Sequence, residues 1–318
     1  MPDIRSQVES FIAYKQGVGI QMTSSASALR QFARYAEEAS HTGPINVDIA
    51  VAWATHGFAH NKGYEIRRYE MARHAAEYAS VFDDSLPRLP VGLLGKFDNR
   101  IQPYIFTEED MALLMLGARC HQHSDPMFTL SNEFYLGLLF ATGMRPSEPL
   151  TLCDSDFNAG APTLLIRNSK SKDRIIPVSE STASQIARYM ERRDALLRRR
   201  RTDRMILASR QGEPLNLPSA QSAFNGYKHI LLGRGEIWRR RPPRLYDARH
   251  TFTCRTILRW HEGGENINAC LPLLATYLGH ATITETYWYL TGTPELMEIA
   301  CASFGEMVLG EVSSDEIE

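Results

Sequence analysis

Arg145, Lys170, Tyr246, Arg249, His280 and Tyr289 follow one another along a chain of 318 residues. Arginine stays charged at any working pH, and its planar fork matches two phosphate oxygens. Opening a phosphodiester adds negative charge to the non-bridging oxygens, so two arginines aimed there lower the barrier electrostatically. A phenol with an ordinary pKa near ~10 is a poor nucleophile at neutral pH unless cations stabilise its phenolate. Two fixed cations, a lysine, a histidine and a tyrosine therefore suit attack by a phenol on a phosphodiester. Arg145 and Arg249 are 104 positions apart (249 − 145), so only a fold can bring them together.

The local sequences narrow this chemistry. Arg145 stands in Ala141-Thr142-Gly143-Met144-Arg145-Pro146-Ser147-Glu148, just past a glycine that stops a helix, with Glu148 placed to anchor the backbone or the arginine. Arg249 stands in Leu245-Tyr246-Asp247-Ala248-Arg249-His250-Thr251-Phe252, His280 closes Leu278-Gly279-His280, and Tyr289 follows nine positions later (289 − 280). Together these strings resemble the tyrosine recombinase (phage integrase) family, matching its two arginine boxes, its Leu-Gly-His string and its tyrosine. The resemblance covers roughly residues 100 to 300 with specific motifs, and a helical N-terminal region more loosely.

The resemblance implies a DNA recombinase or integrase that cuts and rejoins strands through a 3′-phosphotyrosyl link, with Tyr289 as nucleophile. It implies that a lysine on a β-turn protonates the leaving 5′ oxygen. Lys170 and Lys172 both lie in the tip Asn168 to Asp173, and the following Arg174-Ile175-Ile176-Pro177-Val178 favours Lys170. His280 reads as a hydrogen-bond donor to phosphate. Tyr287, two positions from Tyr289, points to a different helical face and reads as core or scaffold. One position departs from the family: Tyr246 stands where a histidine is usual, and tyrosine can donate a hydrogen bond but is no neutral-pH base. His250 is not expected to replace that histidine, because neighbouring helical residues face different ways.

No cofactor is implied: the phosphotyrosyl bond conserves the energy of the cut strand, and no Gly-x-x-x-x-Gly-Lys string occurs. Cys120-His121-Gln122-His123-Ser124-Asp125 has ligand types for zinc, but no second cluster completes a site, and it reads as a polar loop. The partners implied are double-stranded DNA and three further protomers, as a homo- or heterotetramer that passes a C-terminal helix between neighbours. The string Tyr287 to Leu296 is most similar to recombinases of mobile elements. Two other readings share these residues: an impaired relative, weakened by Tyr246, that binds a site beside active partners, and a monomeric type IB topoisomerase.

The elements that must hold these residues follow from periodicity and punctuation. Helices are expected over 26–35, 47–54 and 64–82, with Asn46 and Asp48 as caps and Lys62, Arg67, Arg68 and Arg73 on the surface of the last. Pro87, Pro90, Gly92 and Gly95 form a linker, so a helical core-binding domain of the SAM-like type is expected over 1–100 and a catalytic domain over 101–318. Thr107 starts a helix. A helix over 134–142 ends at Gly143, and strands at 163–167 and 174–178 flank the lysine turn. Further helices are expected at 181–197, 218–231, 246–260, 267–278 and 294–306. The fold class is mainly α with a small β-sheet (α+β).

Composition bounds the rest. At 43% hydrophobic and 23% charged residues the chain is ordinary for a globular protein, and a net charge of −2 says nothing for nucleic acid. The runs Arg198–Arg201 and Arg239–Arg241 can still make local positive surface. No apolar run nears the roughly 18 residues of a membrane span. Five scattered cysteines suit a reduced, cytoplasmic protein better than a disulfide framework, and the resemblance implies association with the nucleoid.

Overall fold

Asp3, Asn46 and Asn61 each accept a hydrogen bond from a backbone N–H three residues on, and each starts a helix. The structure is a computed structural model that describes residues 3–57, 61–96, 103–121, 123–167, 173–197, 204–231, 242–291 and 296–297. The chain divides into two compact units, Met1–Ile101 and Gln102–Glu318.

The first unit holds α1 (Ile4–Gly17), α2 (Thr23–Glu38), α3 (Val47–Thr55) and α4 (Lys62–Ser80). Their apolar stripes meet in one core that includes Val8, Ile12, Leu29, Phe32, Trp53 and Tyr69. Helix α1 was not among the sequence expectations, and Asn46 alone caps α3, leaving Asp48 in its first turn. Two of the basic residues expected on the surface of α4 are inside instead. Arg68 stacks on the Trp53 ring at 4.1 Å and donates to the His56 carbonyl, while Arg73 pairs with Glu70 and Glu77. Their long stems make useful core, and each guanidinium is satisfied within reach.

The second unit begins with a full capping box between Thr107 and Asp110, which opens α5 (Glu108–Cys120). Helix α6 (Pro126–Thr142), apolar on most faces, runs through the largest core with Tyr135, Leu136 and Leu139 fully covered. Three antiparallel strands follow in the order β1 (Phe157–Asn158), β2 (Thr163–Ile166), β3 (Arg174–Pro177), with Leu164 opposite Ile176 and both buried. Strand β1 adds an edge that the sequence did not announce. Then come α7 (Glu180–Leu196), α8 (Leu217–Tyr227), α9 (Asp247–Glu262), α10 (Ile267–Leu278), the short α11 (Thr284–Tyr287) and a 3₁₀ turn, Trp288–Thr291. A smaller core joins Cys254 and Ile257 of α9 to Leu271, Leu274 and Leu278 of α10 and to Tyr289.

Lys170 and Lys172, both arginine runs, and the expected helix over 294–306 apart from Leu296 and Met297 lie outside the described residues. Among the described residues no helix is long and apolar enough to cross a membrane.

Candidate active site

Helix α6 stops at Gly143, whose φ of 61° is left-handed. A Cβ there would fall 2.8 Å from Phe252 Cγ of α9, so the glycine serves both the turn and the packing. The reversal sends Arg145 back across the helix end. Glu148, 6% exposed, accepts from the Arg145 backbone N–H at 2.8 Å and from Arg145 Nη1 at 2.9 Å. It therefore anchors both the backbone and the side chain of the arginine.

Helix α9 brings in the second arginine from below. Arg249 is fully buried, and its Nη1 donates to the Gly143 carbonyl at 3.0 Å. Its Nη2 donates to the Leu278 carbonyl at 2.7 Å, and its Nε meets no acceptor among the described residues. Tyr246 sits at the N-cap position of the same helix, 39% exposed, and its ring lies 5.3 Å from that of His250.

The C-terminal end of α10 is the meeting point. Gly279 takes a left-handed φ of 67°, which exposes the last carbonyls of the helix. Leu278 O receives Arg249, and Gly279 O receives Arg145 Nη2 at 2.7 Å. The next residue is His280. Its Nδ1 lies 2.7 Å from the hydroxyl of Thr286, a buried residue of α11. The Tyr289 ring stacks nearly parallel to the His280 ring, 5.9 Å between centroids and 9° apart. Three consecutive residues thus gather both arginines, the histidine and the tyrosine.

The electrostatics are those of a buried cationic site. Burial opposes ionisation of Glu148, yet Arg174 and Arg145 hold its carboxyl down to about 2. Burial, and then Arg249, Arg145 and Arg174, depress His280 to about 4, so it is neutral near pH 7. Burial pushes the Tyr289 phenol above its ordinary value, and the Arg249 guanidinium pulls against it. Burial draws Arg249 itself below its ordinary value.

Four of the six expected residues, Arg145, Arg249, His280 and Tyr289, converge here. Tyr246 borders the cluster through His250, and Lys170 lies outside the described residues. One expectation needs correction. Tyr287 is 42% exposed and no part of the core, whereas Tyr289 is 3% exposed. The turn tightens from α to 3₁₀ at Trp288, and it is Tyr289 that swings under the α9 and α10 packing. His250, not expected to replace the usual histidine, packs between aromatic rings. It is 6% exposed, and its ring lies 5.1 Å from that of Tyr289 and 5.1 Å from that of Trp288, because α9 is covered on both sides.

Sequence reasoning passed over two residues of the cluster, Arg174 and Thr286. A charged residue opening an apolar strand was the available signal for Arg174; nothing local singled out Thr286. His121 packs on Gly226 and Tyr227, and His123 stacks on Phe128.

Residues 106–295 match the model of the phage integrase family. The integrase/recombinase y4rB of Sinorhizobium fredii is 31% identical over 94% of this chain and 96% of its own length. The tyrosine recombinase XerD of Mycobacterium tuberculosis is 31% identical over 60% of this chain and 57% of its own. Among solved structures, the integrase of transposon Tn1549 in complex with transposon right end DNA superposes with a TM-score of 0.64 at 15% identity, over 95% of this chain and 99% of that one.

Proposed function

The chain belongs to the phage integrase family of tyrosine recombinases, enzymes that cleave and rejoin DNA, and from that footing we propose a site-specific recombinase of a mobile element that works through a phosphotyrosyl intermediate. The observation that carries the reading is the turn Leu278-Gly279-His280, which gathers Arg249, Arg145, His280 and Tyr289 from separate elements.

In this reading the scissile phosphate settles against the two guanidinium groups and the His280 ring. Tyr289 Oη gives its proton up to solvent water as it attacks phosphorus, and the 3′-phosphotyrosyl bond forms while the bond to the 5′ oxygen breaks. Lys170 gives that oxygen its proton. The 5′-hydroxyl of a partner strand then attacks the phosphotyrosine, releases Tyr289 and restores a phosphodiester. Exchange between two duplexes needs four such attacks, one for each strand, hence four protomers on DNA. The first unit acts as a core-binding domain. A mobile-element role rests on the resemblance of the string Tyr287 to Leu296 to recombinases of mobile elements, and the relative matched over nearly the whole chain is named an integrase/recombinase.

Tyr246 favours a second reading, a subunit that holds its site and cleaves poorly. The test is an SDS-resistant protein–DNA adduct on duplexes from the DNA flanking the gene, with wild type, Tyr289→Phe and Tyr287→Phe side by side. Loss of the adduct with Tyr289→Phe alone is expected. An adduct that survives Tyr289→Phe would overturn the assignment, and binding with no adduct in wild type would favour the second reading.

A further inference from the structure

Arg174 opens β3, four positions after Lys170 (174 − 170), with a side chain only 10% exposed. Its Nε donates to the Tyr277 carbonyl at 2.9 Å, which ties β3 to the last turn of α10. Its Nη1 and Nη2 donate to the two Glu148 oxygens at 2.9 and 2.8 Å, a bidentate pair. Glu148 at the same time accepts from the backbone N–H and Nη1 of Arg145. One carboxylate thus lies between two guanidinium groups, and both are joined to the turn that presents His280. Gly279 is part of the fit: a Cβ there would meet Arg174 Nη1 at 3.0 Å and Cδ at 3.1 Å.

We infer that Arg174 is a positioning residue for strand cleavage, which takes up the Glu148 charge so that Arg145 is held without being neutralised. The inference rests on the reading of Arg145 as a phosphate ligand. Arg145, Arg174 and Glu148 together carry one net positive charge (two cations less one anion), and without Arg174 the sum is zero. In a site only slightly open to water, a lone Glu148 draws fully onto Arg145 and competes with the phosphate. Arg174 also fixes the strand that follows the lysine turn against α10, so one side chain aligns the two halves of the cluster.

The experiment compares wild type, Arg174→Gln, Arg174→Lys, Glu148→Gln, Arg174→Gln with Glu148→Gln, and Arg145→Lys. For each, the single-turnover rate of adduct formation at saturating flanking duplex, the DNA affinity and the melting temperature are measured. Arg174→Gln should slow adduct formation by about tenfold to a hundredfold while affinity stays within about threefold. Arg174→Lys should recover part of the rate, and adding Glu148→Gln to Arg174→Gln should slow it no further. Should Arg174→Gln not fold, Arg174→Lys alone and with Glu148→Gln gives the same comparison. A wild-type rate for Arg174→Gln, or two losses that simply multiply, overturns the inference. If Arg145→Lys cleaves normally, the underlying reading of Arg145 fails. If Arg145→Lys is inactive and Arg174→Gln normal, the inference on Arg174 alone is lost.

Discussion

At the scale of the residue, the site depends on how each polar group is already engaged before DNA arrives. His280 is neutral near pH 7, so it carries one ring proton and the tautomer decides what it can do. If the Thr286 hydroxyl donates to Nδ1, the proton sits on Nε2 and can be offered to a phosphate. Thr286→Val should therefore slow cleavage about tenfold, the worth of one hydrogen bond of ~1.4 kcal/mol, and Thr286→Ser should restore it. Equal rates for Thr286→Val and wild type would exclude this role. His250 makes a second prediction. Burial lowers its pKa to about 3 from 6.5, so the folded chain refuses a proton that the unfolded chain takes. Its contribution is fully present above pH 6.5 and is lost as pH falls from there towards 3. Glu148, depressed to about 2, adds an acid loss only below about 4.5. Between pH 6.5 and 4.5, His250→Phe should flatten the stability profile by up to ~1.4 kcal/mol per pH unit. Urea unfolding across that range is the check, and an unchanged slope would rule the effect out.

At the scale of the element, two helix ends do most of the positioning. Gly143 and Gly279 are the left-handed caps of α6 and α10, and the carbonyls they expose are the acceptors of Arg249 and Arg145. Helix α9 presses Phe252 against the first cap and against Tyr277, with rings 5.6 Å apart, so the caps are coupled through packing. Gly143→Ala must strain the αL conformation, at about 1–2 kcal/mol, and must also displace Phe252, at about 1–3 kcal/mol. A drop in stability of about 2–5 kcal/mol is expected from those two sums, together with a slowing of cleavage because the Arg249 anchor shifts. A melting temperature equal to wild type would show that α9 can yield without cost.

At the scale of the whole molecule, the two units carry separate cores, one around Trp53 and Phe32 and one around α6. Trp53 is 1% exposed and packs on Phe32 at 4.8 Å with Arg68 stacked on its ring. Trp53→Ala should destabilise the first unit by about 3–5 kcal/mol. Two units with independent cores need not melt together. Calorimetry should therefore show one transition moving down in Trp53→Ala while the other stays in place. A single transition that shifts as a whole would mean that the units fold as one cooperative body.

Much of the molecule was legible because local chemistry sets it. The capping box at Thr107, the stop at Gly143, the β2 and β3 pair and the helices near 47–54, 246–260 and 267–278 follow from short-range hydrogen bonds and apolar spacing. So did the set of charged and aromatic residues suited to phosphate chemistry. Local reasoning failed where burial is decided by elements distant in sequence. Arg68 and Arg73 look like surface charges until Trp53, Glu70 and Glu77 enclose them. The spacing from His280 singles out Tyr289 over Tyr287, but only the packing of α9 and α10 buries the first and leaves the second exposed. Arg174 is an ordinary strand residue until Glu148, 26 positions earlier, and Tyr277, 103 positions later, meet its guanidinium. The sequence alone thus determined which chemical groups are present and which turns and helices carry them. Only the tertiary structure decided which groups are dehydrated and paired, because desolvation and hydrogen bonding act through contacts that chain order does not encode.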